Sequence, residues 1–257
     1  MPKSVPYFAA SLFAALLISL SAHADTQMAG AVAAALADPR RPPEQVSLDA
    51  ARKPAQLIAF ARLQRGDKVA DFMPGNAYFT RIMSAVVGAR GRVYAFLPAE
   101  QLANCSPREV AGTEALEHDP AYANVSILRD STANFHVPQK LDIVWTAQNY
   151  HDLHDAFMGP ADVGALNKRF FDALKPGGVY LVIDHVAESG SGLRDTESRH
   201  RIDPLRLRQE IEAAGFVLDA ESNALRNSQD DHTLPVFDPS IRGHTDQVVY
   251  KFRKPQT

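Results

Sequence analysis

Short apolar runs alternate with stretches of helical period along most of the chain. Residues 68–72 read as a strand that ends in Asp71-Phe72, and 78–87 as a helix. Strands follow at 93–97, 125–128 and 141–146, with a mostly helical stretch at 98–118. A helix over 162–174 stops at Lys175-Pro176-Gly177-Gly178. The run 179–186 is continuous and β-branched, the pattern of a strand buried on both faces. Asp203 can cap a helix that has Pro204 at its first position and ends before Gly215. Strands at 216–218 and 247–252 complete the set, and the stretch 223–246 has no clear period. Upstream, 25–41 is Ala-rich and 49–63 carries an apolar face, so both read as helices. Strand–helix alternation predicts one α/β domain, a Rossmann-like doubly wound sheet with helices on both faces.

Composition narrows the function. The 257 residues carry 27 basic and 30 acidic side chains, a formal charge of −3. Nucleic-acid binding needs clustered Lys and Arg, so no nucleic-acid partner is expected. Hydrophobic residues make up 46%, as a globular domain requires. Cys105 is the only cysteine, which excludes an intrachain disulfide. Residues 7–20 are almost wholly apolar, follow Lys3, and precede Ser21-Ala22-His23-Ala24. This is the pattern of a secretory signal peptide cut after Ala24. The expected organisation is a signal peptide at 1–24, a helical arm at 25–64 and the α/β domain at 65–257. A periplasmic or secreted location follows, with no stable membrane span after cleavage.

Chemistry is expected at the carboxyl ends of the strands, where open α/β sheets bind ligands. The first tip reads Asp71-Phe72-Met73-Pro74-Gly75-Asn76-Ala77-Tyr78. It has an acid, a glycine turn and a helix start with free N–H groups. It resembles motif I of class I S-adenosylmethionine-dependent methyltransferases, with Met73 and Ala77 in place of the outer two glycines. The order of later segments extends the resemblance: Gly91–Phe96, the Leu174-Lys175-Pro176-Gly177-Gly178 turn feeding a hydrophobic strand, and Ala214-Gly215-Phe216. Within that family the chain is similar to a group of exported methyltransferases carrying Asp-x-Met-Pro-Gly at motif I. The resemblance implies a seven-stranded sheet with its last strand antiparallel, and S-adenosylmethionine as cofactor. It implies Asp71, Met73, Gly75, Asn76, Ala77, Tyr78, Asp130 and Asn149 as cofactor-binding residues. Leu97-Pro98 stands where the family carries an acid for the ribose, and Glu100 is the nearest carboxylate.

Gln148–Asp155 follows the fourth strand, where the family positions the methyl acceptor. His151 with Asp152 is the candidate catalytic pair, since an imidazole titrates near working pH. His154 is a second candidate. Asp184, His185 and His200 have the donor types of a Mn, Fe or Zn site. The metal site of some O-methyltransferases also needs a carboxylate at the fourth strand's tip, where Thr146-Ala147-Gln148 stands, so no metal is expected. The leading reading is a methyltransferase acting on a small molecule. The alternatives are a non-catalytic small-ligand-binding protein on the same scaffold, or a metal-assisted enzyme.

Overall fold

The computed structural model describes residues 26–159 and 161–256. The expected signal peptide lies outside these residues. Among the described residues no helix is long and apolar enough to cross a membrane.

The arm contains α1 (26–36), α2 (Pro43–Val46), α3 (Asp49–Arg52) and α4 (Pro54–Ala61). The single helix expected over 49–63 is thus two. Lys53, with φ 45°, breaks it, because a residue before proline is disfavoured in the helical region. The chain then runs through β1 (Lys68–Phe72), α5 (Tyr78–Val87), β2 (Arg92–Pro98), α6 (Ala99–Asn104) and α7 (Pro107–Glu114). Here too a proline divides an expected helix. Ser106 caps α7 in a reciprocal box with Glu109, and Pro107 takes the first helical position. β3 (Val125–Asp130), β4 (Leu141–Ala147), α8 (Val163–Ala173) and β5 (Leu174–His185) follow. The chain closes with α9 (Thr196–Arg199), α10 (Pro204–Ala213), β6 (Val217–Glu221) and β7 (Gln247–Arg253). Asp203 accepts from the Leu205 N–H at the start of α10, as expected of its cap. Residues 223–246 carry no helix or strand.

The seven strands lie in the order β3-β2-β1-β4-β5-β7-β6. Five pair in parallel, and β7 runs antiparallel to both β5 and β6. From β1 the chain builds outward to β3, then returns to place β4 on the other side of β1. The switch point therefore falls between β1 and β4, and the crevice at their carboxyl ends is where such a sheet receives a ligand.

Strand period distributes the core between two faces. On one, Phe72, Phe96, Phe135 and Phe170 form an aromatic cluster under α8, with Phe72 and Phe170 ring centres 5.2 Å apart. On the other, Trp145, Ile82 and Val86 pack with Leu57 and Ile58 of the arm. The arm is fastened to α5: Tyr78 donates its hydroxyl to Asp49 at 2.7 Å, and Arg41, buried, pairs with the same carboxylate.

Candidate functional site

The β1–α5 loop is shaped by left-handed backbone at every second residue: Met73 φ 54°, Gly75 φ 55° and Ala77 φ 63°. Left-handed residues without a glycine are strained, so the fold holds Met73 and Ala77 there by packing; both are buried. The outer face of the loop is taken by α7. Thr113 donates to Gly75 O at 2.8 Å, and Gly112 donates its N–H to Asn76 Oδ1 at 2.9 Å. Any side chain at position 112 would press on Asn76 O, since a Cβ there would lie 2.6 Å from it. Gly75 itself is unobstructed, its nearest neighbour for a Cβ being Glu109 O at 3.9 Å.

Asp71 points the other way from Phe72, into the face covered by α5. Thr80 donates to it at 2.6 Å, and burial pushes its carboxyl up to about 7 against that hydrogen bond. Tyr78 faces the arm, with Arg52 4.7 Å from its ring centre. Asp130 is exposed and accepts from Ser131 N and Asn134 within its own turn. Glu100 is in the first turn of α6, and both its oxygens accept from Thr132 N, with Thr132 Oγ1 adding a third bond. The β2 tip thus has its carboxylate spent on the β3 loop.

Asn149 bridges the switch point. Its Nδ2 donates to Phe72 O and Met73 O, both at 2.9 Å. Its Oδ1 is buried and has no hydrogen-bond partner in the protein. Buried polar atoms are almost always paired, so this acceptor between the two strand tips fits a donor group from a ligand.

Two residues further on, His151 enters a cluster of imidazoles and carboxylates. Its Nδ1 lies 2.7 Å from Asp184 Oδ1, and its backbone N–H donates to Asp184 Oδ2 at 2.7 Å. Its Nε2 lies 3.1 Å from Asp152 Oδ1. Burial alone would lower the His151 pKa, but Asp184 and Asp152 outweigh it and hold the pKa well above the ordinary value. Asp152, despite its burial, is drawn down to about 2 by His151 and His200. His200 sits at the left-handed end of α9, with Nδ1 3.7 Å from Asp152 Oδ1 and its ring 4.9 Å from Phe237. His185 turns away: its Nδ1 meets Thr245 at 2.7 Å, and burial lowers its pKa to about 3. His154 pairs with Glu210 of α10 at 3.1 Å.

The structure therefore joins His151, Asp152, Asp184 and His200, drawn from the tips of β4 and β5 and the end of α9. Sequence reasoning placed His151 with Asp152 and set Asp184 apart with His185. It missed Asp155, which is buried with neither carboxylate oxygen hydrogen-bonded. It also missed Arg201, wholly buried and paired with Asp230 at 2.9 Å, which ties the segment 223–246 to this end of the sheet. An arginine in a polar stretch carries no sequence signal of burial.

No protein-family model matches the chain, and no curated protein matches it in sequence. Solved structures do match in fold. The [4+2]-cyclase SpnF aligns with a TM-score of 0.57 at 16% identity, covering 86% of this chain and 85% of that one. An S-adenosylmethionine-dependent methyltransferase from Mesorhizobium loti aligns at 0.55 and 15% identity, covering 80% and 99%. The glycopeptide N-methyltransferase MtfA, complexed with S-adenosylmethionine, aligns at 0.53 and 14% identity, covering 79% and 87%. The fold is the class I methyltransferase fold. The cyclase in this set illustrates that such a fold does not fix the reaction.

Proposed function

We propose that this chain is an exported S-adenosylmethionine-dependent methyltransferase that acts on a small-molecule acceptor. The observation that carries the reading is Asn149, an unpaired buried acceptor held across the β1–β4 switch point by Phe72 O and Met73 O. Such a sheet admits a ligand at that point, and the ammonium of the donor's methionine moiety would supply the missing hydrogen bond. A methyltransferase of the same fold complexed with S-adenosylmethionine supports it.

When bound, S-adenosylmethionine supplies an electrophilic methyl group on a sulfonium. The loop that would hold it turns through Gly75 at φ 55°, a backbone that glycine adopts without strain, and a helix start such as that of α5 has N–H groups with no partner inside the helix. Left-handed Met73 and Ala77 give that loop its bent path, Asn76 ties it to α7 through Gly112, Tyr78 ties the start of α5 to the arm, and Asp71 braces it from beneath through Thr80. Asp130, on the side of β2 and β3, would meet the adenosine moiety, while Glu100 is held by Thr132. On the acceptor side, Asp152 is ionised, so it accepts a hydrogen bond from a hydroxyl or amine, and His151 fixes its direction. Methyl transfer to a positioned nucleophile draws mainly on alignment, which this pair supplies.

Titration calorimetry of the chain lacking residues 1–24 tests the reading. S-adenosylmethionine and S-adenosylhomocysteine are expected to bind in the micromolar range, and Asn149→Ala to weaken both at least tenfold. Absence of binding up to millimolar ligand defeats it.

A further inference from the structure

The cluster at the tips of β4 and β5 has a second property, independent of whether the crevice takes a methyl donor. One ligand atom from each of His151, Asp152 and His200 lies within 4.8 Å of the other two. His151 Nε2 and His200 Nδ1 stand 3.1 Å and 3.7 Å from Asp152 Oδ1. In a tetrahedral site with metal–ligand bonds of about 2.0–2.2 Å, neighbouring ligand atoms are about 3.3–3.6 Å apart, so the two spacings bracket the required value. We infer that His151, Asp152 and His200 bind one divalent first-row transition-metal ion of the zinc class.

The surroundings argue for it. Metal-ligating histidines usually give their other ring nitrogen to a carboxylate, which fixes the ring and its tautomer. His151 does this: Asp184, wholly buried, holds Nδ1 at 2.7 Å and leaves Nε2 as the ligand atom. Asp184 is itself fixed by the backbone N–H groups of His151 and His185. The second observation is Asp155, 1% exposed and unpaired at both oxygens, one helical turn beyond His151. An unpaired carboxylate is costly to bury unless a cation compensates it nearby. Asp152, Asp155 and Asp184 thus place three carboxylates around two imidazoles that can ligate. Imidazole and carboxylate donors select zinc, manganese or iron over calcium or magnesium, which prefer all-oxygen shells. His200 and Asp152 have side chains 30% and 18% accessible, so the fourth position opens to solvent. Three protein ligands with one open position is the pattern of a site that holds water or a substrate atom.

His185 is not in the set, since its Nδ1 is turned to Thr245. The test uses the untagged chain, stripped with chelator and titrated with Zn²⁺, with Co²⁺ as an optical probe and Mg²⁺ as the hard-ion control. One Zn²⁺ per chain is expected at micromolar affinity or better, and Co²⁺ should give the visible absorption of a four- or five-coordinate ion. His200→Gly suits the left-handed backbone at that position, so the variant folds while losing a ligand. It and Asp152→Asn are each expected to weaken Zn²⁺ at least 100-fold, with far-ultraviolet dichroism unchanged. His136→Ala, at an exposed imidazole, should bind as the parent does. No Zn²⁺ binding below millimolar, or parent-like binding by both ligand variants, overturns the assignment.

Discussion

Asp184 binds His151 twice, at the ring Nδ1 and at the backbone N–H, both at 2.7 Å. The pair ties the tip of β5 to the turn after β4, and neither side chain reaches solvent appreciably. Removing one partner of a buried ion pair typically costs about 3–5 kcal/mol, because the other charge is left uncompensated. Asp184→Ala is therefore expected to lower unfolding free energy by about that amount, read from the urea midpoint.

The same pair has a pH signature. A histidine whose pKa is raised on folding stabilises fully below its unfolded value of about 6.5 and loses that contribution as pH rises through the raised value. In the metal-free protein, stability should fall on the alkaline side of neutrality, and fall less in Asp184→Ala. Equal slopes for the two proteins would show that His151 does not draw its charge from Asp184.

Asp71 makes a test of the same sign in a more acidic window. Its carboxyl is raised by burial to about 7, so the folded state favours the protonated form. The stability it contributes is full below about pH 4 and is lost as pH rises toward 7. The difference between the folded and unfolded values amounts to about 4 kcal/mol. Asp71→Asn, which keeps an acceptor for Thr80, should flatten the stability profile between pH 4 and 7. A profile as steep as the parent's would assign the dependence to other groups.

Arg201 and Asp230 are both fully buried at their side chains. Arg201→Met should cost about 3–5 kcal/mol and speed proteolysis within 223–246, since the charge of Asp230 is left alone. Adding Asp230→Leu should restore only part of the loss. Asp230 also accepts the N–H groups of His232 and Asp246, which an aliphatic side chain cannot replace. Full restoration would mean that these backbone bonds contribute nothing.

The leader is tested chemically. Mass spectrometry of the protein from its native host is expected to give an N-terminus at Asp25. An intact Met1 would remove the proposal of export.

The order and type of the elements were legible because strand and helix leave different apolar periods in the sequence. The antiparallel β7 was expected from the family resemblance and is observed against β5 and β6. What local pattern obscured were the breaks at Lys53 and at Cys105-Ser106, where a proline one or two residues on outweighs helical period. In the site, the sequence by itself determined the local groups: the Asp71–Tyr78 loop and the His151-Asp152 pair, each confined to one stretch of chain. Only the tertiary structure decided that Asp184 serves His151, that His200 joins Asp152 while His185 leaves for Thr245, and that Glu100 is spent on Thr132. Those partners are separated by dozens of residues. Which nitrogen faces which carboxylate depends on strand register and on the left-handed end of a short helix, and neither is encoded in the spacing of residue types along the chain.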